Sequence, residues 1–211
     1  MAIKPILFNT DMVRAIMDGR KTCTRRVVKT RRKDACGFYV TKRTDGSFTG
    51  IYEYDEDERM FENQLIPPYK PGDILYVRET WHRYTKRVGK GEGCHLEEHY
   101  GYKASIANSE DVEEPWKPSI HMPKEAARIW LKVTDVRVER LQEITADDIR
   151  NEGLSSAAVH CGDMEIALKE WENLWNSTIK KSDLGRYDWN ASPWVWVIEF
   201  ERCEKMQEEH K

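Results

Sequence analysis

The hydrophobic pattern of the chain predicts more strands than helices. Apolar runs of strand length occupy Ile74 to Trp81, Ile129 to Leu141 and Pro193 to Arg202. The last run is apolar on both faces, which is typical of a central strand covered from both sides. Gly37 to Tyr54 reads as a hairpin whose turn lies at 44–47. These strands come as hairpins and not as alternating strand–helix units.

Three segments carry helical periodicity together with helix-end signals. The first begins with Thr10 as the predicted N-cap and ends before Gly19. A short helix opens at Thr145 with a capping box, and its end puts Glu152 at the helix C-terminus. The strongest pattern runs from Asp163 to about Ser177, with apolar residues at helical spacing.

Together these elements predict an α+β fold, namely a small mixed β-barrel with flanking helices. A length of 211 residues fits one domain, which we assign to residues 1–203. Two regions interrupt it as hairpin-bearing insertions, at about 29–65 and 82–118. Residues 204–211 read as a charged tail.

Composition narrows the class of protein. No apolar run reaches the roughly 20 residues that a membrane helix needs, and the amino terminus lacks an apolar signal segment. The five cysteines are odd in number and not closely spaced, which predicts reduced thiols in a cytoplasmic protein. Cys94-His95 with His99, or His160-Cys161, form only partial ligand sets, so we predict no metal and no cofactor.

Basic residues are concentrated in one segment of the chain, although the net charge of the whole chain is −3. Eight basic residues fall between positions 20 and 33 without an intervening acid. Such a block indicates either a phosphate-facing surface or a solvated loop that pairs with the acidic run at 55–58. Its members are Arg20, Lys21, Arg25, Arg26, Lys29, Arg31, Arg32 and Lys33.

The start of this block is also the best candidate for chemistry. A predicted helix ends at Gly19 and a strand begins within three or four residues, so Lys21 to Thr24 forms a tight corner. An amine beside a hydroxyl can act as a base–nucleophile pair if burial lowers the Lys21 pKa. The alternative is ordinary surface cations that bind phosphate or carboxylate, with Thr24 as a plain strand residue.

The pattern Gly19-x-Lys21-x-x-Thr24-x-Arg26 resembles the signature of the ASCH domain, a branch of the PUA-like superfamily. Three further segments resemble ASCH segments in the same order, and the long form with inserted hairpins is most similar to ASCH proteins of bacteriophages and prophages. Those segments are Lys70 to Val77, Ile144 to Gly153 and Val195 to Phe200.

This resemblance implies a fold and a function. PUA-like domains are small mixed pseudo-barrels that commonly bind RNA or modified nucleobases. One compact ASCH group hydrolyses the amide of N4-acetylcytidine. Carried over by motif, Thr24 is the nucleophile, Lys21 its base and Glu152 a proton carrier. Arg26 would bind a substrate oxygen or hold Glu152.

Four further residues are predicted to contact substrate. Arg20 and Arg25 adjoin the motif, Trp81 would stack on a base, and Arg78 either lines the cleft or sits on an exposed sheet face. Other tryptophans fall in core-like patterns and are assigned to packing: Trp130, Trp171, Trp175 and Trp194.

The leading hypothesis is a protein that binds RNA or a modified nucleoside in a basic cleft, with amide hydrolysis as a further activity. The chain is about twice as long as the compact enzymes, so its insertions can cover, widen or replace the mouth of the barrel. Two alternatives stay open: a non-catalytic nucleic-acid-binding module, and a phage accessory protein whose insertions bind a host protein.

Overall fold

The computed structural model describes residues 1–46, 48–90, 93–106, 115–154, 159 and 161–205. These residues form an α+β structure, as predicted. The helices are α1 (Thr10–Met17), α2 (Ala146–Asn151) and α3 (Met164–Thr178). The strands are β1 (Ile3–Leu7), β2 (Cys23–Val27), β3 (Gly37–Lys42), β4 (Phe48–Tyr54), β5 (Met60–Gln64), β6 (Ile74–Arg78), β7 (Trp81–Val88), β8 (His95–Tyr102), β9 (Trp130–Arg140) and β10 (Trp194–Cys203).

Contacts between residues divide the chain into two compact units. The first unit comprises residues 1–21, 72–132 and 201–211, and the second comprises 22–71 and 133–200. Strands β9 and β10 contribute residues to both. The prediction of a single domain at 1–203 stays a prediction, and residues 206–211 of the predicted tail lie outside the described residues.

The first unit is built on the strand order β1-β6-β9. β1 runs parallel to β6, with Ile6 opposite Val77, and β6 runs antiparallel to β9, with Leu75 opposite Leu131. β7 and β8 form an antiparallel hairpin within the insertion predicted at 82–118. The core gathers apolar and aromatic side chains: Ile74, Trp81, Met122, Ala126, Ala127 and Trp130.

The second unit is built on the order β9-β10-β2, which makes β10 the central strand, as its two-sided apolar pattern predicts. β2 runs antiparallel to β10, with Thr24 opposite Ile198. α2 and α3 cover one face with a core that includes Ile149, Trp171, Trp175, Val195 and Val197. β3, β4 and β5 form a separate three-stranded sheet.

The structure confirms several local predictions and corrects one. The hairpin predicted at 37–54 is the β3–β4 pair, although Ser47 of its turn lies outside the described residues. Gly19 follows α1 with a φ of +75°, which suits a residue without a side chain. The N-cap of α1 is Asn9, not Thr10: the Asn9 side chain accepts a hydrogen bond from the Met12 N–H.

The strand order is open in each unit, so the described strands close no barrel. This agrees with the pseudo-barrel form of the predicted fold. Within the described part of the chain, no helix is both long and apolar enough to cross a membrane.

Candidate functional site

Two residues of the sequence motif, Thr24 and Arg26, lie on β2. This strand is the last in the order β9-β10-β2. Side chains alternate along a strand, so Cys23, Arg25 and Val27 point to one face while Thr24 and Arg26 point to the other. The Cys23 face is the one that α2 and α3 cover, because Val27 packs against that core. Thr24 is also buried.

α2 brings Glu152 to β2. A capping box joins Thr145 and Asp148 at the start of this helix, and Glu152 is its C-cap. The Thr22 N–H donates a hydrogen bond of 2.8 Å to the Asn151 carbonyl, which fixes the helix end beside the start of β2. Glu152 is 4% exposed there, so a carboxylate lies buried beside the motif strand.

Arg25 binds Glu152. Its side chain is fully buried, and Nη1 lies 3.3 Å from a Glu152 carboxylate oxygen. Its Nε donates to Glu139 at 3.0 Å, and Nη2 lies 3.3 Å from Asp148. Burial alone would lower the pKa of Arg25, but the charges of Glu152 and Glu139 outweigh it and raise that pKa.

A second guanidinium extends this network. Arg137 on β9 contacts Glu139, Asp148 and Glu199, and with Arg25 it completes a cluster of two arginines and four carboxylates, the last being Glu152. We call this set the Arg25 cluster. Since a buried charge is costly unless paired, the cluster fixes α2, β9 and β2 in one arrangement.

The Arg25 cluster predicts a specific response to acid. Burial raises the pKa of Asp148, but hydrogen bonds from Thr145 and the charge of Arg25 act more strongly, so the pKa lies below its usual 3.8. A carboxyl group with a depressed folded-state pKa stabilises the fold above its unfolded pKa, and this stabilisation is lost as pH falls through the folded value. D148N should therefore unfold at lower urea concentration than wild type at pH 7.

The urea midpoints of both proteins should approach each other as pH falls below about 4, and they should meet only below the folded-state pKa of Asp148, which lies below 3.8. D147N is the matched control, because Asp147 is an exposed neighbour on the same helix that pairs only with Arg150 within the described residues. A D148N deficit of equal size at both pH values would show that Asp148 acts through shape and not through charge.

Arg26 and Tyr69 lie near each other in the second unit. Burial lowers the pKa of Arg26, opposed by the charges of Tyr69 and Glu152. Burial raises the pKa of Tyr69, and the charge of Arg26 opposes this rise. Glu152 thus acts on guanidinium groups from both faces of β2, as expected for a carboxylate beside an edge strand. Arg25 also contacts Glu152, and both predicted roles of Arg26 stay predictions.

Lys21 is the last residue of the first unit. Its side chain is buried, and the ammonium nitrogen lies 5.6 Å from the centre of the Phe8 ring. Its backbone N–H donates to the Ala15 carbonyl at 3.0 Å, just past the end of α1. Lysine is rarely buried to this extent unless it is partnered, so this position is unusual for a surface cation.

Three other residues predicted to contact a substrate lie in the first unit, and each has a different environment. Arg20 is half-buried and pairs with Asp18 at 2.8 Å. Arg78 donates to the Ile120 carbonyl. Trp81 is only 6% exposed and belongs to the core, so a base would stack on it only after neighbouring side chains moved. Their roles toward a substrate stay predictions.

Sequence reasoning missed the acidic partners of Arg25. The available signal was Arg137 and Glu139, two charged residues that share one face of β9 near its end. No group of three or more histidine, cysteine or acidic side chains suited to a metal occurs among the described residues. His160, part of one candidate ligand set, lies outside those residues.

Comparison with known proteins adds one distant likeness. No protein-family model matches the chain, and no curated protein matches it. Among solved structures, the chain is similar to the high-resolution crystal structure of an ASCH domain from Lactobacillus crispatus JV V101. The two share 10% sequence identity with a TM-score of 0.40, over 95% of this chain and 79% of the other. At this level of similarity, the likeness carries no conclusion about function.

Proposed function

We propose that this chain binds RNA or a modified nucleoside and hydrolyses an amide on it, such as the acetamide of N4-acetylcytidine. The observation that carries the proposal is the buried Glu152 carboxylate, held 3.3 Å from Arg25 beside the strand that bears Thr24. Burying a hydroxyl and a carboxylate beside an edge strand costs stability, and such cost is commonly retained where the groups do chemistry.

The proposed reaction uses three side chains. The Thr24 hydroxyl attacks the acetyl carbon, and Lys21 takes the hydroxyl proton. The bond to the cytosine N4 then breaks, and the Glu152 carboxylate relays the proton held by Lys21 to the departing amine. Water releases acetate from Thr24 and restores the hydroxyl. Arg25 acts as a positioning residue, because it contacts Glu152 and not the reacting atoms.

Thr24→Ala should lower the rate of deacetylation by about a thousand-fold or more, since it removes the nucleophile. Acetate release from N4-acetylcytidine and from acetylated short RNA is the measurement. Thr24→Ser keeps a hydroxyl and should retain far more activity than Thr24→Ala. Thr22→Ala is the matched control, because Thr22 is exposed and holds Asn151 through its backbone.

Lys21→Met and Glu152→Gln should each lose turnover while retaining RNA, which separates chemistry from binding. Circular dichroism of each variant shows whether it folds. Turnover by Thr24→Ala at the wild-type rate would overturn the assignment of the nucleophile. Absence of product from wild type would overturn hydrolysis itself.

A non-catalytic nucleic-acid module is the second candidate, and the basic block favours it. Lys29 and Arg31 are exposed, whereas Arg32 pairs with Asp34 at 2.8 Å and stacks on Phe61. Such a module predicts RNA affinity that falls steeply with salt, with no product. Retention of RNA by wild type without deacetylation would select it.

A further inference from the structure

A cleft of about 260 Å³ lies in the second unit, apart from the Arg25 cluster. It forms just beyond the C-terminal end of β2, against the start of β3 and the start of β10. Residues that matter for its chemistry are Val28, Thr30, Arg140, Arg186, Tyr187 and Trp194. Trp194, assigned to packing from the sequence, is only half-buried because it lines this cleft.

The guanidinium groups of both arginines in the cleft contact neutral groups, whereas the backbone N–H of Arg140 donates to the Glu143 carboxylate. The Arg140 guanidinium stacks 4.4 Å from the Trp194 ring centre and donates to the Ser192 carbonyl at 3.1 Å. The Arg186 guanidinium lies 5.2 Å from the Tyr187 ring centre and donates to the Thr30 hydroxyl at 3.0 Å. Stacking and single hydrogen bonds orient the two groups without using all five N–H donors of either.

Neither arginine forms an ion pair with a carboxylate among the described residues. Other arginines of the second unit do: Arg25 pairs with Glu139, Arg32 with Asp34, and Arg59 with Asp57. Two like charges lining one hollow repel each other, and their electrostatic field attracts an anion. The exposed Lys29, which lies between Val28 and Thr30 in the sequence, adds to the same field.

We propose that this cleft binds a phosphate group of single-stranded RNA. The fork of an arginine matches phosphate oxygens in pairs, and stacking on aromatic rings keeps the fork preorganised. The volume lies just below the range of about 300–1,000 Å³ typical of small-molecule pockets, so it suits one phosphate with its sugar. A folded partner or a large apolar ligand does not fit.

The choice of RNA rests on the proposed function, whereas the anion site rests on the cleft alone. Val28 follows Thr24 by four residues, a distance of about 13 Å along an extended strand. An RNA chain with one base at Thr24 can therefore place a neighbouring phosphate in the cleft. The cleft would then explain how the chain distinguishes RNA from a free nucleoside.

The test measures binding of a fluorescently labelled single-stranded RNA of eight nucleotides across a series of salt concentrations. Arg140→Gln and Arg186→Gln should each weaken binding about ten-fold. The slope of log affinity against log salt should fall by about 0.7 for the phosphate contact that is lost. Affinity for uncharged N4-acetylcytidine should not change. Arg59→Gln, which removes an exposed and paired arginine from the same unit, is the control.

Arg140→Lys separates charge from fold. It should keep the salt slope near wild type while losing part of the affinity, because lysine lacks the planar fork. Wild-type affinity and slope in both glutamine variants would overturn the phosphate site. Equal affinity for a polyglutamate peptide would overturn the choice of phosphate.

The same measurements distinguish this inference from the proposed function. If wild type retains RNA through Arg140 and Arg186 but releases no acetate, hydrolysis is wrong and the phosphate site stands. If wild type deacetylates the free nucleoside but does not retain RNA, the phosphate site is wrong and hydrolysis stands.

Discussion

Arg25→Met should lower the free energy of unfolding by about 3–5 kcal/mol. The guanidinium is fully buried and contacts Glu139, Asp148 and Glu152, so its removal leaves buried carboxylates without their main counter-charge. Arg137 also contacts Glu139 and Asp148, so these two carboxylates keep part of their counter-charge. Glu152 is 4% exposed, so its charge should carry a large share of the penalty.

Urea unfolding followed by circular dichroism measures this effect. Arg59→Met is the matched control: Arg59 pairs with Asp57 at 3.0 Å on an exposed turn, and such pairs contribute only about 0–1 kcal/mol. Adding Glu152→Gln to Arg25→Met should recover part of the loss, because the buried carboxylate is then neutral. If Arg25→Met lowers the free energy of unfolding by no more than the control does, the carboxylates of the Arg25 cluster are stabilised by water and not by Arg25.

Local signals in the sequence predicted the elements that carry the site. Gly19 after the first apolar stripe and the capping box at Thr145 are contacts within one turn, so both are visible in a short window. The same signals put Glu152 at the end of α2. The N-cap of α1 was predicted one residue late, because Asn9 and Thr10 both offer a side-chain acceptor and sequence alone does not rank adjacent ones.

Partners distant in sequence could not be predicted in this way. Arg25 meets Glu139 and Glu152 across 114 and 127 residues, and nothing in one sequence links them. The same limit explains Trp194. An apolar run predicts burial for all its members, but the first residue of β10 borders a cleft and receives Arg140 on its ring.

The sequence motif predicted only part of the surroundings of Glu152. The resemblance pointed to Arg26 as a residue that could hold this carboxylate, and it did not point to Arg25. The structure shows that Arg25 contacts Glu152, since α2 ends beside β2 on the face that carries Arg25. A carboxylate delivered by a second element is constrained by the position of that element, which strand periodicity does not encode.

Trp171→Ala should lower the free energy of unfolding by about 3–5 kcal/mol, the usual cost of removing a buried tryptophan side chain. Trp171 lies at the centre of the core of the second unit, packs 6.2 Å from the Trp175 ring and is covered by residues of α2 and β10. Its indole N–H has no hydrogen-bond partner among the described residues. The stabilisation therefore comes from packing and not from a polar contact.

Trp171→Phe tests that distinction. It keeps an aromatic ring and removes the unpaired N–H, so it should cost much less than Trp171→Ala, about 1–2 kcal/mol. Ile166→Ala is the control on the same helix: Ile166 is 51% exposed, and its replacement should change stability by no more than about 0.5 kcal/mol. Urea midpoints measure all three. Equal losses for the phenylalanine and alanine variants would mean that shape complementarity at Trp171, and not buried volume, holds α3 against the sheet.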